Sequence, residues 1–192
     1  MSSTYRVTIK MAGKVGLQAR PQHFDELIGA AQSRLERRNN GPRRELTLPI
    51  TRTEIANDNE KWVYKASEIF FKLGEEIKVF KAQKTPKGQV PGGKGYKCLE
   101  ATAWVATDNI GELKKLAAQI RNIGLGFRDG FGEVISMDFE LAETEEQDNW
   151  NFRYMHKPVP SSIPVMANIK PPYWREMGKT IAYYRIDEPV GL

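Results

Sequence analysis

A glycine-rich segment between Ile123 and Val134 carries the clearest chemical pattern in the sequence. Its glycines are Gly124, Gly126, Gly130 and Gly132, and between them lie Phe127, Arg128 and Phe131. Glycine permits positive φ and a close approach of the main chain to another group. Turn N–H groups that no side chain covers form a concavity that binds anions. The pattern therefore predicts a loop whose main chain binds phosphate groups, with Arg128 adding positive charge.

Two well-known phosphate-binding motifs do not fit this segment, and a simpler structural alternative remains. A Rossmann fingerprint follows a strand and opens a helix, whereas this segment follows a helical pattern and precedes a strand-like one. A Walker A loop would end in Gly-Lys-Ser or Gly-Lys-Thr, which is missing here. A helix C-cap followed by a tight turn is the simpler alternative.

A second candidate region is basic and flexible in composition. The stretch Gln83–Lys97 contains many glycines and prolines, and it has no acidic residue. It predicts the tip of a basic hairpin or a disordered loop. Its candidate phosphate ligands, with Lys81 just before it, are Lys84, Lys87, Lys94 and Lys97, and Tyr96 could stack on a base. An ordinary lysine-bearing surface loop is the alternative.

Arginines crowd the end of the first predicted helix and the loop after it. They are Arg34, Arg37, Arg38, Arg43 and Arg44, with only Glu36 among them as an acid. Cations near a helix C-terminus are favourable in themselves, so a solvated face explains them as well as RNA does. Within this cluster Arg43 and Arg44 are candidate RNA ligands, together with Arg20.

His23 and the segment Pro171–Arg175 complete the set of candidate residues. His23 precedes the first apolar residue of the predicted helix, where an imidazole could act as general acid or base, contact RNA, or merely cap the helix. His156 lies in a predicted strand and is interpreted as structural. Tyr173, Trp174 and Arg175 form a rigid aromatic loop that could contact a base or a partner protein. Packing of these aromatics back onto the body is the alternative.

Composition excludes several classes of protein. One cysteine and two histidines provide no ligand set for zinc. No apolar run has the length that spans a bilayer, and the first ten residues lack the core of a signal peptide. The serines lack the sequence context of a nucleophile elbow, so the sequence does not support a Ser-His-Asp catalytic triad. A net charge of +5 favours an acidic partner. We expect a cytoplasmic protein without metal, cofactor or membrane contact, and Cys98 in the core.

The elements that must position these residues follow from hydrophobic periodicity. Predicted strands and helices alternate in the order strand, helix, strand, strand, helix, strand, which is the split βαβ unit of the α+β ferredoxin-like (RRM-like) fold. The strands are 5–11, 61–72 with its continuation 76–81, 99–107 and 131–141; the helices are 21–38 and the segment from Asn109 to Ile123. Residues 12–20 are predicted as a loop, and 150–159 and 180–186 as further strands. We expect one domain, 1–192, with its core at about 4–141, a basic hairpin inserted at about 76–97 and a C-terminal extension at 142–192.

With its glycine-rich loop after the second helix, the sequence resembles the RAMP superfamily of CRISPR proteins. Within it, several pieces in order resemble the 5′-handle-binding (Cas5-like) subunit of type IV effector complexes. These pieces are Phe24–Ile28, Leu48–Ile50 before Trp62 and Ala66–Ser67, the glycine-rich loop, and Pro171–Trp174.

The resemblance implies a non-catalytic RAMP fold that binds the 5′ handle of the guide crRNA and caps a filament of backbone subunits. It also implies contact with a large or small subunit and, indirectly, with target DNA in antiviral defence. The four loop glycines would line the RNA backbone, and the 81–97 segment would take the place of a thumb hairpin. Two alternatives remain open at this point: a metal-independent, CRISPR RNA-processing endoribonuclease that uses His23, and a ferredoxin-like domain unrelated to nucleic acid.

Overall fold

The computed structural model describes residues 2–18, 20–38, 47–53, 62–85, 88–90, 92–169 and 179–192. In chain order its strands are β1 (Ser3–Leu17), β2 (Phe70–Phe80), β3 (Gln83–Thr85), β4 (Gly88–Val90), β5 (Gly93–Thr107), β6 (Val134–Leu141), β7 (Ser162–Ala167) and β8 (Thr180–Arg185). Its α-helices are α1 (Phe24–Arg38) and α2 (Ile110–Ala117).

The central element is an antiparallel four-stranded sheet with the order β2-β5-β1-β6. β3 pairs with β4, and β7 pairs with β8, in two separate two-stranded ribbons. The predicted α+β class is confirmed, and this order is compatible with the ferredoxin-like RAMP fold. The assignment of the inserted segment as a thumb, like the single-domain division, stays a prediction.

β1 is longer than the alternating pattern predicts. Val7, Ile9 and Met11 are buried as expected. The predicted loop after Met11 is wrong as far as Leu17, because these residues continue the pairing with β5. The register shifts between Lys10 and Gly13. This irregularity breaks the alternation on which the sequence-based boundary depended.

Each helix begins close to its predicted position and covers the core with an apolar stripe. In α1 the buried residues include Phe24, Ile28 and Ala31. α1 starts at Phe24 rather than Pro21, and the Phe24 N–H donates to the Ser67 carbonyl at 3.0 Å.

α2 is capped by Asn109, whose side chain accepts a hydrogen bond from the Glu112 N–H at 3.1 Å. The helix ends at Ala117, so the prediction of helix as far as Ile123 is wrong. Ile120 and Ile123 are nevertheless buried, because the chain after the helix stays against the core.

Two middle strands begin at positions different from those predicted. β2 starts at Phe70, whereas the preceding residues 62–69 form only isolated bridges. β5 starts at Gly93, six residues before Leu99, and the Leu99 side chain is 73% exposed instead of facing the core. Cys98 is buried, as predicted.

The C-terminal part was predicted correctly in one strand and wrongly in another. β8 confirms the strand predicted near Thr180. The strand predicted over 150–159 is wrong, because Asn149–Asn151 form a 3₁₀ turn and the next residues are irregular. β7 was not predicted. In the part of the chain that the structure describes, no helix is long and apolar enough to cross a membrane.

Candidate nucleic-acid interface

The glycine-rich loop, residues 123–134, lies across β1 at the end where β1 pairs with the beginning of β5. The Leu125 N–H donates to the Gly16 carbonyl at 2.7 Å, and the Gly132 N–H donates to the Lys14 carbonyl at 2.8 Å. Opposite these residues, Gly16 pairs with Gly95, and Leu17 pairs with Lys94. The loop is therefore fixed at the end of the sheet from which the β3–β4 ribbon leaves.

The loop glycines are required by backbone conformation and by close packing on the protein's own main chain. Gly124, Gly126, Gly130 and Gly132 have φ values of +80°, +74°, +74° and +75°. A Cβ on Gly124 would lie 2.1 Å from the Gly16 carbonyl oxygen. A Cβ on Gly132 would lie 1.8 Å from the carbonyl oxygen of Ile123. Both positions exclude any other residue without a shift of the backbone.

Most of the loop's amides are already engaged, which corrects the hypothesis of a free amide cradle. Seven N–H groups donate to main-chain carbonyls of the protein: those of Ile123, Leu125, Asp129, Gly130, Phe131, Gly132 and Val134. A phosphate at this loop would therefore meet side chains more than bare amides. The side chain suited to that contact in the loop is Arg128, which is exposed.

The two phenylalanines of the loop have different environments. Phe131 is only 4% exposed, and its ring packs edge-on against Phe80 with ring centroids 5.1 Å apart. It supports the loop from below, so a direct contact of this ring with RNA has no geometric basis. Phe127 is 60% exposed and lies on the 3₁₀ turn Phe127–Asp129. Its ring is open to a stacking partner.

Two lysines from different strands converge on Asp129 at the tip of the loop. The Lys78 Nζ lies 2.6 Å from the Asp129 Oδ2, and the Lys14 Nζ donates to the Asp129 carbonyl at 3.0 Å. The hydrogen bond from Lys78 lowers the pKa of Asp129. Lys14 also lies 4.7 Å from the centre of the Phe131 ring. Sequence reasoning missed both lysines, because only the pairing of β1 and β2 with β5 brings them to the loop.

The lysines predicted in a mobile hairpin tip lie in regular structure where they are described. Lys94 and Lys97 belong to β5, and they pair with Glu76 and Glu75 of β2, each at 2.8 Å. Although the stretch 83–97 contains no acid, pairing of β5 with β2 brings acids to Lys94 and Lys97. Tyr96 lies in the same strand, opposite Val15. Lys81 is exposed after β2, Lys84 lies in β3, and Lys87 lies outside the described residues.

The other predicted ligands are ion-paired or buried within the protein, or they lie outside the described residues. Arg20 forms an ion pair with Glu26 at 2.9 Å. His23 is 0% exposed, and burial lowers its pKa well below the usual value, so the imidazole is neutral and cannot reach an RNA phosphate. Arg43 and Arg44, with Tyr173, Trp174 and Arg175, lie outside the described residues.

A cleft of about 420 Å³ opens beside the loop, and Gly124 contributes to its wall. Inside it, the Tyr184 Oη donates to the Glu68 carboxylate, at 2.8 Å and 2.9 Å from its two oxygens. Burial raises the pKa of Glu68 to about 7, although the hydrogen bond from Tyr184 acts in the opposite direction. Sequence reasoning did not single out Glu68, because nothing along the chain links it with Tyr184.

Comparison with known proteins gives one family match. The model of the family described as CRISPR type IV associated protein Csf3 matches residues 93–184. This range runs from the start of β5, through α2 and the glycine-rich loop, to Tyr184 in β8. A search of curated proteins finds no match. The family match, on a fold compatible with the RAMP superfamily, supports a type IV CRISPR-associated, RAMP-like protein.

Proposed function

We propose that this chain is a non-catalytic, crRNA-binding subunit of a type IV CRISPR effector complex. It holds the 5′ handle of the guide RNA and caps the end of the filament of backbone subunits. It works in the cytoplasm with backbone RAMP subunits and a large or small subunit, and it meets target DNA only indirectly. The match to a type IV CRISPR-associated family supports a role in a complex with other subunits.

One observation carries the proposal: cations from three elements, each at least partly exposed, lie at the glycine-rich loop. Arg128 lies on the loop, Lys14 on β1 and Lys78 on β2. Lys14 lies directly opposite Lys97 of β5, an arrangement of like charges that is unfavourable by itself. Asp129, Glu75 and Glu76 offset part of this charge in the free protein. A polyanion that follows the loop would neutralise the remaining positive charge more completely.

The endoribonuclease alternative depends on His23, and the burial of this residue argues against it. A general acid or base must come within hydrogen-bonding reach of the atoms that react. The His23 side chain is completely enclosed, and its imidazole packs edge-on against Tyr154 with ring centroids 5.0 Å apart. His23 is thus a core residue, and RNA binding without cleavage is the function that we propose for the protein.

The test compares a charge reversal in the loop with an equal reversal elsewhere. We expect Arg128→Glu to weaken binding of repeat-derived RNA by about tenfold or more, because a carboxylate replaces a cation beside the phosphates. The matched control is Lys115→Glu, since Lys115 is exposed on α2 and outside the loop. Fluorescence anisotropy measures both variants at the same salt concentration.

The same samples test catalysis when they are run on a denaturing gel. RNA incubated without metal should remain intact. Equal effects of the two reversals would contradict a phosphate contact at the loop. Metal-independent cleavage that disappears in a folded His23→Ala variant would favour the endoribonuclease.

A further inference from the structure

The cleft beside the glycine-rich loop has the composition of a site for a small, partly polar molecule. Its apolar walls include Leu17, Ile69 and Phe71, whereas Gln18 and Gln22 contribute amide groups. Its volume of about 420 Å³ lies within the range of small-molecule sites, about 300–1,000 Å³. Such sites combine apolar walls with a few polar groups that fix the orientation of the ligand.

Glu68 is the acidic group that lines this cleft, and it is held in place from two sides. Its N–H donates to the Phe152 carbonyl at 2.7 Å, and its carboxylate accepts the Tyr184 hydroxyl. An ionised carboxylate has about four lone-pair sites, so one hydroxyl leaves acceptor capacity for a ligand. A ligand that offers N–H groups to a fixed carboxylate would match this site.

The position of the cleft connects it with the proposed path of the RNA. Gly124 lines the cleft and also begins the glycine-rich stretch that carries Arg128. Next to it, Leu125 is bonded to Gly16, whose neighbour Leu17 forms part of the cleft wall. A nucleotide whose phosphate contacts the loop would therefore have its base within reach of the cleft.

We propose that this cleft receives one unstacked base of the bound RNA, and that Glu68 selects bases carrying an exocyclic amino group over uracil. The proposal rests on the proposed function, since it assumes that RNA follows the loop. Single-stranded RNA is read through splayed bases that are hydrogen-bonded on their pairing edges. Carboxylates accept hydrogen bonds from the cytosine amino group. Uracil presents a carbonyl oxygen at that place, which a carboxylate repels.

Titration of Glu68 gives this selection a pH dependence. The pKa of about 7 means that the carboxylate predominates at pH 8 and the neutral acid at pH 6. Tyr184 and Tyr154 face it with phenolic groups whose pKa values are raised, and buried His23 is neutral. Arg20, which also lines the cleft, is paired with Glu26. A protonated Glu68 can donate to a uracil oxygen, so the selection against uracil should weaken as the pH falls from 8 to 6.

The experiment measures binding of three 12-nucleotide RNAs, rC12, rA12 and rU12, by fluorescence anisotropy at constant salt. For the wild-type chain at pH 8 we expect rC12 and rA12 to bind about tenfold more tightly than rU12. Glu68→Gln, which keeps the shape of the side chain, should reduce this ratio to about threefold or less at both pH values. Glu68→Asp retains the charge but withdraws it by one methylene, and should also lose most of the ratio. Melting curves establish that each variant is folded.

A variant of the proposed contact with the RNA backbone separates the two proposals. Arg128→Glu should weaken all three RNAs by a similar factor and leave their ratio unchanged, because phosphate contacts carry no base information. Binding of all three RNAs without preference, or a ratio that both Glu68 variants preserve, overturns the base-selective cleft but not the RNA-binding function. Absence of binding to any RNA overturns both.

Discussion

Asp129 places a carboxylate where the proposed RNA phosphate would lie. It holds Lys78 at 2.6 Å through its side chain and Lys14 at 3.0 Å through its carbonyl. All three residues are at least partly exposed, so the ion pair contributes little to stability. The ion pair should matter more for RNA binding than for stability, because an incoming phosphate must compete with Asp129 for Lys78.

Removing this internal competitor should strengthen RNA binding. We expect Asp129→Asn to raise the affinity for repeat-derived RNA by about three- to tenfold at low salt, because Lys78 becomes available to phosphate. Fluorescence anisotropy provides the measurement. Asp138→Asn on β6 is the matched control, since it changes the net charge equally at another exposed aspartate. An equal gain in both variants would indicate a general charge effect, and a loss in Asp129→Asn would mean that Asp129 orders the loop for binding.

Sequence reasoning located the loop but misjudged how it works. Four glycines with positive φ are visible as a pattern, and the structure places all four in that conformation. What a pattern cannot show is that Gly124 and Gly132 pack against the protein's own carbonyl groups. Lys14, Lys78 and Glu68 were missed because each joins the site through contacts between residues far apart in the chain.

At the scale of elements, periodicity predicted what is regular and failed where the chain is irregular. The alternating residues of β1 and the apolar stripe of α1 predicted these two elements correctly, apart from their ends. The extension of β1 to Leu17 follows from pairing with β5 across a register shift, which period-two reasoning cannot detect. The segment 62–69 is largely buried without being a regular strand.

A buried arginine joins these irregular segments to α1. Arg153 and Asp25 are both completely buried, and the Arg153 Nη1 lies 3.3 Å from the Asp25 Oδ2. The same guanidinium donates to the carbonyls of Tyr64 and Ala66 in the segment 62–69, and to that of Ile169. Arg153 therefore connects the first helix, the segment before β2 and the region after β7.

Loss of this arginine should destabilise the whole protein. We expect Arg153→Met to lower the free energy of unfolding by about 3–5 kcal/mol, because Asp25 and three carbonyls lose a buried partner. Urea denaturation measures the change, with exposed Arg121→Met as the control of similar volume. A loss below about 1 kcal/mol in Arg153→Met would show that other groups or water replace the guanidinium.

For the molecule as a whole, the candidate site combines residues inside and outside the range that the family model matches. The family match over 93–184 includes Arg128, Asp129 and Tyr184. Lys14 and Lys78 come from the part before it and reach the loop through the sheet, whereas Glu68 belongs to the irregular segment before β2. The fold thus places a basic loop beside a cleft that contains Glu68, which is the arrangement that the proposed contacts with the backbone and a base of one RNA strand require.

This division of roles predicts how RNA binding depends on salt. With about three to five phosphate contacts, the logarithm of the binding constant should fall with the logarithm of salt concentration with a slope of about −2 to −3.5. Arg128→Ala should make the slope shallower by about 0.7, because one phosphate contact is lost. Glu68→Gln should alter base preference and leave the slope unchanged, since its proposed contact is to a base. Titrations of rC12 between about 50 and 300 mM KCl measure all three slopes. A flat wild-type response, or an equal change in both variants, would contradict the assignment of phosphate to the loop and base to the cleft.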